Sequence, residues 1–513
     1  PPWEEPVPEE EEMPRKGSSG HREPLIAAGD KEAAEREHGT AVRSEEGRAT
    51  GGEASGAPSL RATRSSEDRE QWVDMREGPN DDEEKPSVSW ARIVCINAHA
   101  FNYGLFYASV GVILLPVEAA NMFEGNEAIA LAAMLVLGGI SQLISPVAGY
   151  SSDRCAHKWG KRMPFILAGN ATLFVCLGCM YLARTYLYGY SYMVLLFFAM
   201  LSLNVAYTGF AGLVSDTVPA HQMGVTSGIM GGMTAAGAVC GLLGLGFGLE
   251  TDEAYGAYAL SLLATTPFTW AAAREEQLEE ARQRPWVGEE VTRAYYISPE
   301  SHGDFFWVFC SRTGYYMAVS TQIYILYYLR DCMTDPEISG NAKMYTSILC
   351  ILSQGCSGVV SLVAGHATAR FGYKPLIYAA CTCMAAVYVG YTLVHTFPLV
   401  VALGVVYGSS NGVYLAADYA LAVACLPNKE DGAKDLALWG IAAFLGTMFG
   451  PCITGPTLAV LGKQEGSAAY SFKGYVGVMM LGVVYSFLAA VFLFKVRHGY
   501  APHPERTDLS GED

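Results

Sequence analysis

Charge is scarce in this sequence, and much of it lies at one end. Only 17% of the 513 residues are Asp, Glu, Lys or Arg, against about 25% in a soluble domain. Positions 1–90 hold 23 acidic and 12 basic residues, so long stretches of the remainder carry almost none. That first segment is rich in Glu, Arg, Gly, Ser and Pro and poor in Ile, Leu and Phe. It buries too little apolar surface to offset the entropy of ordering, so residues 1–88 are expected to form a disordered acidic region. The acidic start argues against a mitochondrial or plastid transit peptide, which would be basic. With no initiator methionine, the chain is expected to be a fragment or a processed form.

Paired catalytic groups are also lacking. The 13 cysteines lie mostly inside apolar stretches and form neither a disulfide framework nor a zinc pattern. Cys176-Leu-Gly-Cys179 has redox spacing but no flanking strand, so these thiols read as small packing groups. Gly408-Ser-Ser410-Asn-Gly412 fits a hydrolase nucleophile pattern, which needs a strand–turn–helix and a His–acid pair. Here it falls within an apolar helical run. No enzyme activity, cofactor, metal or nucleic-acid partner is expected.

Long hydrophobic runs fill the chain instead, with 51% hydrophobic residues and 55 glycines. Apolar segments fall near 91–117, 127–148, 163–183, 190–214, 223–248, 254–272, 304–329, 342–364, 375–395, 398–425, 436–460 and 474–495. About 20 residues at ~1.5 Å rise cross the ~30 Å hydrocarbon core. The prediction is an all-α integral membrane protein with twelve transmembrane helices. A first six-helix bundle covers 89–272 and a polar linker 273–303; a second bundle covers 304–497 and a tail 498–513. Basic residues concentrate in alternate loops, among them Arg154, Lys158, Lys161, Arg162, Arg370 and Lys374. That imbalance places both termini in the cytoplasm, in the plasma membrane or an internal one.

The halves repeat. Gly149-x-x-x-Asp153-Arg154 is echoed by Gly365-x-x-x-Ala369-Arg370, Asn204 by Asn411, and Pro219 by Pro427, with offsets of 207 to 216. Two pseudo-symmetric bundles follow, and secondary transporters place their solute site where such repeats meet. The second copy has lost its acid at Ala369.

The first copy continues as Asp153-Arg-Cys-x-x-Lys158-Trp-Gly160-Lys161-Arg162-x-Pro164-Phe-Ile. Its Gly-x-x-x-Asp-Arg and Gly-Lys-Arg parts resemble the loop after the second helix of the major facilitator superfamily. The longer form resembles the sucrose transporters and the related glycoside-pentoside-hexuronide:cation symporters. The resemblance implies that helices 1, 4, 7 and 10 line a central cavity and that the loop ties helix ends together. Gly149, Asp153, Arg154, Gly160, Lys161, Arg162, Gly365 and Arg370 would form the gating motif, with Asp216 pairing to Arg154. Plant sucrose symporters carry a membrane-embedded Asp about four residues before the helix 4 Asn. That position falls here on Met200, or on Leu201.

Charges within spans are costly unless paired or hydrated. Asp418 shares a helix 10 face with Asn411 and Tyr414, spaced i, i+3 and i+7. Arg312 in helix 7 lies at a similar depth, ~12–13 Å from the inner ends of the two helices. The pair is expected to border the cavity and bind solute or proton. His99, Asn102 and Tyr103 of helix 1 and Asn204 and Tyr207 of helix 4 add groups suited to a sugar. His99 is the one that would titrate near neutral pH. The expected function is proton-coupled symport of a sucrose- or glycoside-like sugar by a monomer in the lipid bilayer. The alternatives are a carrier that exports another small organic solute and a transporter-like nutrient sensor.

Overall fold

The computed structural model describes residues 87–273, 302–425, 432–464 and 469–497, with a few isolated positions between them. The expected acidic region, most of the linker and almost all of the tail lie outside the described residues. Every regular element among the described residues is helical.

Twelve long helices form among the described residues. The first half holds α1 (Trp90–Met122), α2 (Glu127–Asp153), α3 (Met163–Thr185), α4 (Gly189–Thr217), α5 (220–248) and α6 (Glu253–Ala272). The second holds α7 (303–332), α8 (Ala342–Phe371), α9 (Tyr373–Tyr391), α10 (Phe397–Ala424), α11 (Gly432–Gly462) and α12 (Phe472–Phe494). Nine helices among the described residues are long and apolar enough to cross a membrane. Bare side chains such as Val175, Leu263, Leu393, Val460 and Phe487 are more than half exposed, which a lipid-facing surface tolerates and water does not. The protein is a multi-pass integral membrane protein.

Helix starts follow local chemistry. Ser89 Oγ accepts from the Arg92 amide to cap α1. Pro164 and Pro398 sit in the first turns of α3 and α10, where a missing N–H costs nothing. Gly160 before α3 and Gly372 before α9 have φ of 97° and 81°, values that favour glycine. Both fall in the repeated loop, so the repeat preserves a backbone turn as well as a sequence.

Small residues let helices approach. A Cβ on Gly237 or Gly241 of α5 would run into the α1 backbone at Phe101 and Leu105. A Cβ on Gly446 or Gly450 of α11 would meet α7 at Thr313 and Ser320. These pairs are 209 residues apart, so both bundles use the same close contact.

Two helices change their winding mid-span at matching places of the two halves, and α5 ends in a further π-helical turn at Gly244–Gly248. α1 passes through a π-helical turn at Val110–Leu114 and α7 through a 3₁₀ turn at Thr321–Tyr324. Such irregular turns free backbone groups and tend to accompany functional sites.

Candidate functional site

Two ends of the membrane region can be distinguished. The motif end carries the Gly149–Arg162 loop; the opposite end carries the starts of α2, α8 and α12.

At the motif end, Arg162 is the centre of a charge cluster. Its Nε donates to Asp216 Oδ2 at 2.8 Å, and its two Nη atoms donate to Ser152 and Asp153. Lys161 Nζ is 3.0 Å from the same Asp216 oxygen. The Arg162 side chain is nearly buried, whereas Asp153 is 48% exposed. Gly212 of α4 makes room for it, since a Cβ there would come 2.6 Å from Arg162 Nε. The acid expected opposite Arg154 thus sits against Arg162 and Lys161. Arg154 stacks on the Tyr150 ring at 3.4 Å and donates to the Tyr150 carbonyl at 3.4 Å. In the second half Lys374 is buried and donates to the Val496 carbonyl, while Arg370 lies 5.4 Å from the Phe371 ring. Among the described residues, nothing beyond Gly365's own stretch of helix comes within 4 Å of a Cβ built there.

The opposite end is sealed by contacts that bridge the halves. The Tyr470 hydroxyl accepts from the Ala128 amide at 3.1 Å and donates to Glu127 at 2.8 Å, closing the start of α2. Burial pushes the Tyr470 hydroxyl above the usual phenol range, so it stays protonated and able to donate. Asp331 holds this loop by accepting from the Tyr470 amide and the Tyr475 hydroxyl. Tyr327 donates to the Pro116 carbonyl at 2.7 Å, and Lys343 donates to Thr251. A cavity of about 480 Å³ lies at this end, lined by Asn121, Glu250, Arg330 and Lys343 among others.

A central cavity of about 330 Å³ lies between the halves, at the small end of the ~300–1,000 Å³ typical of small-molecule sites. Its first-half wall is mostly apolar, with Val112, Leu115, Met134, Leu135, Met200 and Leu242 beside Tyr107 and Gln142. Its second-half wall is richer in polar groups: Tyr316, Ser320, Gln322, Ser353, Gln354, Tyr407, Asn411 and Thr447. Among the described residues, none of its lining side chains is Asp, Glu, Lys, Arg or His. Both irregular turns, in α1 and α7, contribute to it.

Beside this cavity, toward the motif end, Arg312 Nη1 donates to Asp418. Both side chains are almost fully buried. The guanidinium lies over the Trp439 ring at 3.4 Å and the Tyr316 ring at 4.8 Å. The Tyr414 hydroxyl and the Trp439 indole edge face the Asp418 carboxylate without reaching hydrogen-bond geometry. Tyr414 stacks on Tyr315 at 3.3 Å, and the Tyr315 hydroxyl donates to Asn411 at 3.3 Å.

The other sequence-predicted residues are placed differently. Of the nine expected at the solute site, Asn411 lines the cavity. Asn102 is satisfied by Ser261 and Thr265 of α6, and Asn204 by Ser141 of α2 and the Met200 carbonyl. These amides fasten helices together. Tyr103 and Tyr207 stack on each other at 4.0 Å. His99 is fully buried 5.4 Å from the Phe210 ring, and among the described residues neither ring nitrogen is hydrogen-bonded. The sequence reading missed Tyr107, Gln142, Tyr316, Gln322, Gln354, Tyr407 and Trp439. Tyr107 and Tyr316 each stand four residues beyond a predicted one, Tyr103 and Arg312, and that spacing was the signal available.

The profile of the Major Facilitator Superfamily matches residues 40–242 and 305–511. No curated protein sequence matches this one. Solved structures share the fold at low identity. The nucleoside transporter NupG is 13% identical with a TM-score of 0.59, over 80% of this chain and 100% of that one. A D-xylose-proton symporter is 14% identical with a TM-score of 0.57, over 80% and 97%. A bacterial homologue of the human lysosomal transporter Spinster, inward-facing and unoccupied, gives the same four values. A profile matched across both repeats, on paired bundles that enclose a central cavity, makes this chain a member of the Major Facilitator Superfamily with a transporter fold.

Proposed function

We propose that this protein is a secondary active transporter that carries a small neutral sugar together with protons by alternating access. The observation that carries this reading is the Arg312–Asp418 pair beside the central cavity. Two charges inside a membrane span are expensive and are retained where they serve binding or proton movement. Asp418 is the proton site in this reading, and the cavity is the solute site. Its uncharged lining favours a neutral solute, because a charged one would lose its hydration without a counter-ion. The hydroxyl and amide groups of the second-half wall suit a sugar's hydroxyls. A nucleoside transporter and a D-xylose-proton symporter of similar fold support this class of cargo. The motif of the Asp153–Pro164 loop supports placing the protein with the sucrose-type symporters. The basic motif end faces the cytoplasm with both termini, and the protein works as a monomer.

The apolar first-half wall supports a second reading, a carrier of a less polar small organic solute. One experiment separates them. Purified protein in liposomes is offered radiolabelled sucrose, glucose, maltose and xylose, with and without an imposed pH gradient. Accumulation above the equilibrium level, only with the gradient and abolished by a protonophore, is the expected result. Uptake of none of the four, or uptake indifferent to the gradient, overturns the proposal.

A further inference from the structure

The ion pair and the cavity are adjacent but separate, since neither Arg312 nor Asp418 lines the cavity. Coupling a proton to a solute needs a group that touches both. Tyr316 does. It lines the cavity, its ring lies 4.8 Å from the Arg312 guanidinium, and its hydroxyl accepts from Arg312 Nη2 at 3.4 Å. It stands one helical turn beyond Arg312 on α7, so both side chains share a face.

The other groups around the pair are also in view. α7 supplies Tyr315, α9 supplies Cys381, and α10 supplies Tyr414, all near Asp418 or its stacked neighbour. α11 contributes the Trp439 ring. Among the described residues none of these four lines the cavity. Arg312 also has capacity in reserve, because its Nε is buried and makes no hydrogen bond among the described residues.

We infer that Tyr316 is the positioning residue through which a proton on Asp418 and a solute in the cavity act on each other. This rests on the proposed proton-coupled reading and deepens it. While Asp418 is ionised, the guanidinium is committed to the carboxylate and holds Tyr316 only by a long contact. When Asp418 takes a proton from the aqueous side, the charge holding Nη1 is gone. The guanidinium then tightens on the Tyr316 oxygen. A tyrosine oxygen that accepts from arginine has its own O–H left to give, and here that O–H points its proton at a solute oxygen in the cavity. Protonation therefore strengthens solute binding. By thermodynamic reciprocity, bound solute strengthens proton binding by the same factor.

The test is the pH dependence of affinity. Binding of a sugar transported by the wild type, taken from the panel of sucrose, glucose, maltose and xylose, is measured at pH 5.5 and 7.5. The wild type should bind at least ~5-fold tighter at the lower pH, the lower bound of ordinary allosteric coupling. Tyr316→Phe keeps the ring and its contact with Arg312 and removes only the hydroxyl. Its ratio of affinities should fall below about 2-fold, well under the ~5-fold floor of ordinary allosteric coupling. Asn411→Ala, in the same cavity, should weaken binding at both pH values and keep the wild-type ratio. A Tyr316→Phe protein that keeps the wild-type ratio overturns the inference, as does an Asn411→Ala protein that loses it. A wild type with no pH dependence, or no binding of any of the four sugars, overturns the underlying transport reading instead.

Discussion

Separating Arg312 from Asp418 should reveal an unequal pair. The Asp418 side chain is 3% exposed and that of Arg312 6% exposed, so removing either partner strands the other away from water. Breaking a buried pair this way typically costs about 3–5 kcal/mol. For Arg312→Gln the cost has a ceiling. The stranded acid can take a proton, and doing so at pH 7 from an ordinary carboxylate pKa of about 3.9 costs roughly 4 kcal/mol. That ceiling falls by ~1.4 kcal/mol for each unit of pH, so the variant should recover stability on acidification. Asp418→Asn leaves a cation, but one in contact with the Trp439 and Tyr316 rings. A desolvated cation–π contact is worth about 2 kcal/mol, so this variant should lose only about half as much. Both variants should fail to accumulate solute on a pH gradient. The double variant strands no charge and should be more stable than Arg312→Gln, with a coupling of at least ~2 kcal/mol. The assay is detergent unfolding of the four proteins at pH 7 and pH 5, with membrane yield as a second reading. Losses that add to within ~0.5 kcal/mol would refute the argument.

Three further outcomes follow from the two ends of the molecule. Arg154→Ala should slow transport while leaving insertion intact, whereas Arg162→Ala should slow transport and also lower stability by about 1–2 kcal/mol, a range reduced for the exposure of Asp153; equal unfolding midpoints for the two would count against the central place of Arg162. Gly212→Ala should reproduce the Arg162→Ala transport defect, because its Cβ would come 2.6 Å from Arg162 Nε; normal transport in that variant would show that the cluster tolerates displacement. Tyr470→Phe removes both bonds made by the hydroxyl to Glu127 and Ala128, about 2 kcal/mol together or a ~30-fold shift toward opening of that end. An impermeant thiol reagent should then label a cysteine placed at Asn121 faster, in a background lacking other reactive thiols, and an unchanged rate would discard the seal.

The helices were legible because a membrane span must be apolar for its whole length. Each expected segment overlaps one of the twelve helices, from 91–117 against Trp90–Met122 to 474–495 against Phe472–Phe494. The changes of winding in α1 and α7 were not legible, since hydropathy does not register a shift in hydrogen-bond partner. The residues expected at the solute site and those that line the cavity share helices but differ in depth. On α1 the stripe through His99 and Tyr103 continues to Tyr107, Gly111 and Leu115, and only these last three reach the cavity. On α4 the cavity touches Met200, one turn from Asn204. Polar residues drew the reading because they are rare in spans. Asn102 and Asn204 are there to join helices, and composition cannot distinguish an amide satisfied by protein from one waiting for solute. Arg312 and Asp418 escaped that ambiguity because opposite charges at equal depth on helices of one bundle have few other solutions.

The buried Arg312–Asp418 pair also bears on membrane voltage. Arginine keeps its charge at any physiological pH, so the pair is neutral with Asp418 ionised and carries one positive charge with Asp418 protonated. A neutral solute adds nothing to that sum. In the proposed cycle the loaded carrier therefore differs from the empty one by a single elementary charge, and only the loaded step feels the electric field. A full charge crossing the whole field gains about 2.3 kcal/mol per 100 mV. With the cytoplasmic side negative, the field pushes loaded carriers inward and leaves the empty return indifferent. Uptake would register as an inward current of one charge per solute, and depolarisation alone would slow accumulation with no change in the pH gradient.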